Sequence, residues 1–133
     1  MGYTHYWNHD QISPGIWENL LFDTRFIVEN AGIPVAGPFG KGPVEINRDH
    51  IALNGANGDD YETFSITPNA TGFDFCKTGV RPYDLVVTTI LLRATLTIPG
   101  FSIRSDGDWS EWQDARDLYK VLFGPPPEDS PFR

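Results

Sequence analysis

Residues 82–97, with the sequence PYDLVVTTILLRATLT, decide the fold, because features typical of a helix and features typical of a strand overlap in them. Pro82 suits the first turn of a helix, and the segment is longer than a typical strand. The β-branched run 86–90 favours a strand instead. We expect a helix over 82–97, because buried packing commonly overrides intrinsic propensity.

The segments on either side of this helix carry both strand and helix patterns. An apolar stripe at helical spacing, preceded by Ser13, predicts a helix over 14–31 that Gly32 closes. A second stripe predicts a helix over 109–123. Strands are predicted at 3–7, 50–55, 61–67, 73–77 and 101–104. The order β-α-β-β-β-α-β-α predicts an α+β fold, a mainly antiparallel sheet with about three helices packed on one face.

Length and composition favour one compact domain. A chain of 133 residues, of which 40% are hydrophobic, can form one core but is small for two. We predict a single α+β domain over 1–124. Residues 125–133, which begin with three prolines, are predicted to form a flexible Pro-rich tail with little to pack against.

Charge and cysteine content narrow the possible partners and compartment. Ten Lys and Arg against eighteen Asp and Glu give a net charge of −8, which disfavours duplex nucleic acid and anionic membranes. The single cysteine, Cys76, excludes an intramolecular disulfide framework, and the first residues lack a signal-peptide pattern. We therefore expect a cytoplasmic protein without a membrane partner.

The strongest candidate for binding chemistry lies just before the 82–97 helix. Lys77, Thr78 and Arg81 precede the predicted helix N-terminus, where free N–H groups and the helix dipole attract anions. A phosphate would fit beside them, close to Tyr83 and Asp84. The alternative is an ordinary connector with solvated cations, in which Asp84 only favours the first turn of the helix.

Further ligand contacts are expected from polar residues near predicted strands. Asn54 and Asp106 follow strands and are candidates to contact a ribose or base, although Asn-Gly and Asp-Gly turns explain both without a ligand. Tyr3 and His5 carry polar tips near a chain turn, and Glu62 is a candidate acid or base. The predicted ligand-binding set is Tyr3, His5, Asn54, Glu62, Lys77, Thr78, Arg81, Tyr83, Asp84 and Asp106.

The remaining motifs favour neither a metal nor a cofactor. The three histidines are too scattered for a zinc pattern, and the acidic runs do not match a calcium loop. The glycine-rich segment 37–43 lacks the spacing of a P-loop. Cys76 is expected to be a buried structural residue, and Trp112 a core residue, so we assign no catalytic residue, metal or cofactor.

Three motifs together resemble a family of small uncharacterised proteins encoded by bacteriophages and bacteria. They are GYTHYW at 2–7, FCKT at 75–78 followed by PYD at 82–84, and SDGDW at 105–109. The resemblance covers most of the chain and implies a phage or bacterial cytoplasmic setting, the host cytoplasm if the protein is phage-encoded. In that setting small accessory proteins often counter host defence, including by sequestering nucleotide immune signals.

We therefore expect a phosphate-containing nucleotide or nucleotide signal as the ligand, bound without catalysis as by an anti-defence sponge. A small nucleotide hydrolase is the first alternative, with His5, Glu62 or Asp106 as acid or base. The second is an acidic inhibitor that occupies a basic surface of a host protein. We also expect a homo-oligomer, because a short domain rich in aromatics can bind a ligand across a subunit boundary.

Overall fold

The structure, a computed structural model, describes residues 3–133. Gly2, the first residue of the GYTHYW motif, lies outside the described residues. In chain order the elements are β1 (Thr4–His9), α1 (Pro14–Asn30), β2 (Val35–Ala36), β3 (Glu45–Ile46), β4 (Ile51–Gly55), β5 (Phe64–Ile66), β6 (Gly72–Lys77), α2 (Asp84–Thr97), β7 (Ser102–Ser105) and α3 (Gln113–Phe123). Short 3₁₀ helices lie at Pro38–Gly40 and Trp109–Trp112.

The described strands form two antiparallel sheets rather than one. The first has the order β6–β1–β7, and the second has the order β2–β4–β3 with β5 also paired to β4. In the first sheet Tyr6 lies opposite Phe75 on one side and Arg104 on the other. The predicted α+β class, with antiparallel strands and three α-helices, is confirmed.

The segment that decides the fold is the helix α2, which starts two residues later than the sequence predicts. It contacts α1, α3 and β7, and the consecutive residues 86–92 are buried. Burial on all sides explains why a β-branched run is helical here. The hydroxyls of Thr88 and Thr89 also bond back to carbonyls of the preceding turn, so their polar atoms are satisfied. No helix within residues 3–133 is long and apolar enough to cross a bilayer.

Other boundaries differ from the predicted ones for local reasons. The 109–123 segment begins as a 3₁₀ helix, capped by reciprocal hydrogen bonds between Asp108 and Glu111, before α3. The predicted strand over 61–67 shrinks to β5, because the amide of Asn54 bonds the backbone of Tyr61 and holds the chain out of the sheet. Strands β2 and β3 have two residues each, too few for an alternating pattern.

Residues 125–133 contact the domain, contrary to the expectation that they have little to pack against. The indole N–H of Trp109 donates to the Glu128 carbonyl at 3.0 Å. The Phe132 ring lies edge-on to Trp112, with the centroids 4.8 Å apart, and the Arg133 N–H donates to the Ile103 carbonyl at 2.9 Å. The tail therefore packs along β7 and the turn before α3.

Candidate functional site

Asp84, the first residue of α2, accepts two side-chain hydrogen bonds on one oxygen. Its Oδ1 accepts from His5 Nε2 at 2.5 Å and from Thr78 Oγ1 at 2.5 Å. His5 is fully buried, whereas the Asp84 side chain is 19% exposed. The antiparallel pairing of β1 with β6 brings His5 beside the turn that leads into α2. Three of the predicted ligand-binding residues, His5, Thr78 and Asp84, are therefore in direct contact.

Ser105 lies behind His5 and determines which ring nitrogen carries the proton. Its Oγ accepts from the Gly107 N–H at 3.0 Å and from Trp112 Nε1 at 3.2 Å, and lies 2.8 Å from His5 Nδ1. A hydroxyl oxygen accepts two hydrogen bonds, so its own proton is left to donate to Nδ1. His5 therefore carries its proton on Nε2 and donates it to Asp84.

A cavity of about 540 Å³, which we call the Asp84 cavity, opens beside this carboxylate. Tyr3 and Trp112 supply aromatic surface, and Ile33 and Leu85 supply apolar surface. Asp84 Oδ2 has no hydrogen-bond donor among residues 3–133, in contrast to Oδ1. Apolar wall residues and the Asp84 carboxylate, which is fixed in place yet retains accepting capacity, thus occur together in this cavity, as in many small-ligand sites.

Tyr3 links the buried network to the cavity. Its ring lies edge-on to His5, with the centroids 5.0 Å apart, and Trp112 packs against the other side of His5 at 5.3 Å. Burial, together with the negative charge of Asp84, raises the pKa of Tyr3 to about 12. Gly107 permits the close approach of this phenol, because a Cβ there would lie 2.1 Å from the Tyr3 oxygen. Tyr3 is therefore a neutral phenol at physiological pH.

Charged side chains around the Asp84 cavity are mostly acidic. Glu111 and Asp114 line it together with Asp84, against the single cation Arg81. Arg81 is exposed, and its guanidinium carbon lies 5.4 Å from the Tyr61 ring centroid. Arg81 is therefore the one positively charged side chain among the described residues that line the cavity.

Most backbone donors of the predicted anion cradle already have partners. The N–H groups of Thr78 and Gly79 both donate to the Tyr3 carbonyl, at 3.1 and 3.3 Å. Those of Arg81 and Asp84 donate to carbonyls within the same turn. The turn before α2 therefore offers a phosphate fewer free N–H groups than the sequence pattern suggested, and a ligand role for its cations stays a prediction.

Three other predicted site residues, Glu62, Lys77 and Tyr83, form a separate group. Glu62 Oε1 accepts from the Lys77 N–H at 2.8 Å, and the buried Tyr83 hydroxyl donates to the Glu62 carbonyl at 2.6 Å. Cys76 lies beside them, and burial raises the pKa of its thiol to about 12. These contacts hold the loop before β5 against β6, and none of the three residues lines the Asp84 cavity.

Asn54 and Asp106 are held away from the Asp84 cavity by hydrogen bonds of their own. Asn54 is fully buried and bonds the backbone of Tyr61 with both its amide nitrogen and its amide oxygen, at 2.9 Å each. Asp106 accepts from the Thr4 N–H and the Tyr6 hydroxyl, both at 3.0 Å. The expected meeting of these turns at one ligand is therefore absent from the described residues.

Sequence reasoning did not select Ser105, Glu111 or Trp112 as site residues. Ser105 precedes Asp-Gly and has the signature of a turn, and Trp112 has the spacing of a core residue. Trp112 is indeed buried, yet its indole N–H donates into the His5 network and its ring lines the cavity. No local pattern in the sequence distinguishes such a residue from an ordinary core tryptophan.

Among residues 3–133, no group of three or more His, Cys, Asp or Glu side chains is placed to hold a metal ion. Comparison of the chain with protein-family models, with curated proteins and with solved structures finds no match.

Proposed function

We propose that this chain binds a small nucleotide-like ligand without transforming it, with the base in the Asp84 cavity and the phosphate at its rim. The observation that carries the proposal is the hydrogen bonding of the Asp84 carboxylate. His5 and Thr78 fix one oxygen, and the other has no donor among the described residues. A fixed carboxylate at the wall of an apolar cavity is suited to the N–H groups on the edge of an amino-substituted base.

The distribution of charge supports this orientation of the ligand. Asp84, Glu111 and Asp114 would repel a phosphate placed deep in the cavity. Arg81 is exposed at the rim, where a guanidinium can pair with phosphate oxygens. A flat base between the aromatic and aliphatic walls and a phosphate outside them satisfy both constraints.

The same network supports binding rather than nucleophilic catalysis. Ser105, His5 and Asp84 contain the three groups of a serine-hydrolase triad, but Ser105 Oγ is engaged by three partners and does not line the cavity. His5 is fully buried, so it does not reach a ligand directly. The network therefore acts to position the Asp84 carboxylate.

Calorimetric titration with a panel of nucleotides tests the proposal. Asp84→Asn should weaken binding at least about 10-fold, because a charge-assisted hydrogen bond is lost. Arg81→Ala should weaken it less, about 3- to 10-fold, and more at low salt, because the side chain is exposed. Glu18→Gln, an exposed acid on α1 outside the cavity lining, is the matched control and should leave affinity unchanged.

The fate of the ligand separates binding from the alternatives. Protein incubated with the panel is heated, and the released small molecules are identified by mass spectrometry. Intact nucleotide is the result expected of a protein that sequesters a nucleotide signal. Release of an altered product would indicate a nucleotide hydrolase instead. If the protein retains no nucleotide, the result would favour an acidic inhibitor that binds a host protein. Equal affinity of wild type and folded Asp84→Asn would contradict the site.

A further inference from the structure

The outer side of the β6–β1–β7 sheet carries exposed aromatic side chains. Phe73 and Phe75 on β6 are 56% and 51% exposed, and Tyr6 on the central strand β1 is partly exposed. In register, Tyr6 lies opposite Phe75, and Asn8 lies opposite Phe73. We call Tyr6, Phe73 and Phe75 the aromatic face. Contiguous apolar surface of this kind on a soluble protein commonly marks an interaction site.

The rings of the aromatic face form one connected surface. The Tyr6 and Phe73 centroids lie 6.0 Å apart with 24° between the ring planes, and Phe73 and Phe75 lie 6.0 Å apart with 34° between theirs. Rings this close to parallel present their π surfaces in similar directions. Flat nucleobases stack on such rings with little dependence on base identity.

Positive charge borders the aromatic face, although the chain as a whole carries −8. The Arg104 guanidinium lies over the Tyr6 ring at 5.1 Å and has no carboxylate partner among the described residues. Lys77 alternates along β6 with Phe73 and Phe75 and so lies on the same side of the sheet as they do. Arg133 borders the same side of the sheet. The nearby carboxylate of Asp106 is already engaged by the Tyr6 hydroxyl and a backbone N–H.

A shallow cavity of about 200 Å³ adjoins the aromatic face. Its lining includes Tyr6, Phe73 and Arg104, together with Asn8 and Ser102. The Asn8 side-chain amide makes no hydrogen bond to residues 3–133, so both its donor and its acceptor are available. An amide beside an aromatic ring can bond the edge of a base that stacks there.

From these contacts we infer that the aromatic face binds single-stranded nucleic acid, with bases on the exposed rings of Phe73 and Phe75 and phosphates near Arg104, Lys77 and Arg133. The charge complementarity is local and suits a short strand. A duplex presents its phosphates outward and keeps its bases stacked on one another, so it would not use the exposed rings. This inference rests on a surface separate from the Asp84 cavity and does not depend on the proposed function.

Fluorescence anisotropy with labelled dT10, rU10 and a duplex of the same length tests the inference. We expect both single strands to bind, the duplex to bind more weakly, and affinity to fall between about 50 and 200 mM salt. Phe73→Ala and Phe75→Ala should each weaken single-strand binding about 5- to 100-fold. Arg104→Gln should weaken binding and make it less sensitive to salt.

Matched controls separate this surface from general effects. Phe22 on α1 is 71% exposed, so Phe22→Ala removes a more exposed ring elsewhere and should leave affinity unchanged. Asp84→Asn should also leave it unchanged, which distinguishes a failure here from a failure of the proposed cavity ligand. A preference between dT10 and rU10 would identify DNA or RNA as the natural strand.

Three results would overturn the inference. The first is no single-strand binding by the wild type at low salt. The second is equal loss of affinity in Phe22→Ala and Phe75→Ala. The third comes from sedimentation, if the wild type self-associates, Phe73→Ala abolishes that association, and no strand binds, because the aromatic face would then be an interface between copies of this chain.

Discussion

The two faces of β1 differ in what their polar and aromatic groups contact. On the inner face His5, Trp7 and His9 are buried, and the two polar rings have hydrogen-bond partners within the domain. On the outer face Tyr6 and Asn8 border exposed aromatic surface and Arg104, which has no carboxylate partner within residues 3–133. The inner face fixes the Asp84 carboxylate, at which we propose a small ligand, whereas the outer face carries the exposed rings at which we infer that a nucleic-acid strand binds. One six-residue strand thus contributes to two distinct candidate sites.

Truncating one aromatic ring on each face of β1 gives the largest expected difference in the free energy of unfolding. Trp7 is 2% exposed and packs edge-on to Phe64, with the centroids 5.3 Å apart. Trp7→Ala should lower the free energy of unfolding by about 3–5 kcal/mol, because it creates a cavity in the core. Tyr6→Ala should lower it by less than about 1 kcal/mol. Urea unfolding measures both, and similar losses would show that the faces do not differ as described.

A second pair compares polar residues on the two faces. His5→Ala removes the buried imidazole that hydrogen-bonds both Asp84 and Ser105 and leaves a void in its place, so it should cost about 2–4 kcal/mol of stability. Asn8→Ala removes a side chain without partners among the described residues and should change stability by no more than about 0.5 kcal/mol. His5→Ala should also weaken binding in the Asp84 cavity. Unchanged nucleotide affinity in a folded His5→Ala protein would remove His5 as a positioning residue.

Alkaline unfolding tests Cys76 on the inner side of β6, and for each pH unit its expected effect is smaller than the loss expected for Trp7→Ala or His5→Ala. Burial raises the pKa of the Cys76 thiol from 9.0 to about 12. The folded state keeps the proton that the unfolded state loses, so the stabilisation is complete below about pH 9 and is lost as the pH rises toward 12. Between about pH 9 and 12, the free energy of unfolding of the wild type should therefore fall more steeply than that of Cys76→Ala, by about 1.4 kcal/mol per pH unit. Equal slopes in urea unfolding at pH 8 to 10.5 would contradict this assignment.

The two long helices could be predicted because their signals are local. Ser13 and Pro14 mark the start of α1, and the length of 82–97 identified α2 in spite of its β-branched run. The start of α2 was misplaced by two residues, because the chain first forms a hydrogen-bonded turn from Thr78 to Asp84. Strands β2 and β3 could not be predicted, since only their pairing to β4 defines them.

The candidate site was only partly visible in the sequence. Thr78 and Asp84, which are hydrogen-bonded, are only six positions apart. A short stretch of sequence therefore already contains both residues. The predicted anion cradle of Lys77, Thr78 and Arg81 assumed free backbone amides, but the N–H groups of Thr78 and Gly79 both donate to the Tyr3 carbonyl. Tyr3 lies near the start of the sequence, far from Thr78 along the chain, so no local pattern could place its carbonyl there.

The sequence by itself determined the α+β class, the main helices and the alternation that gives β1 two faces, because these depend on propensity and periodicity over a few residues. Only the tertiary structure decided which face is buried and which groups meet. His5 is 79 positions from Asp84 and 100 positions from Ser105, and their hydrogen bonds exist because strand register and helix packing bring them together. Exposure of Phe73 and Phe75 has the same origin. It depends on which side of the sheet the core covers, a property of the whole chain that no short segment encodes.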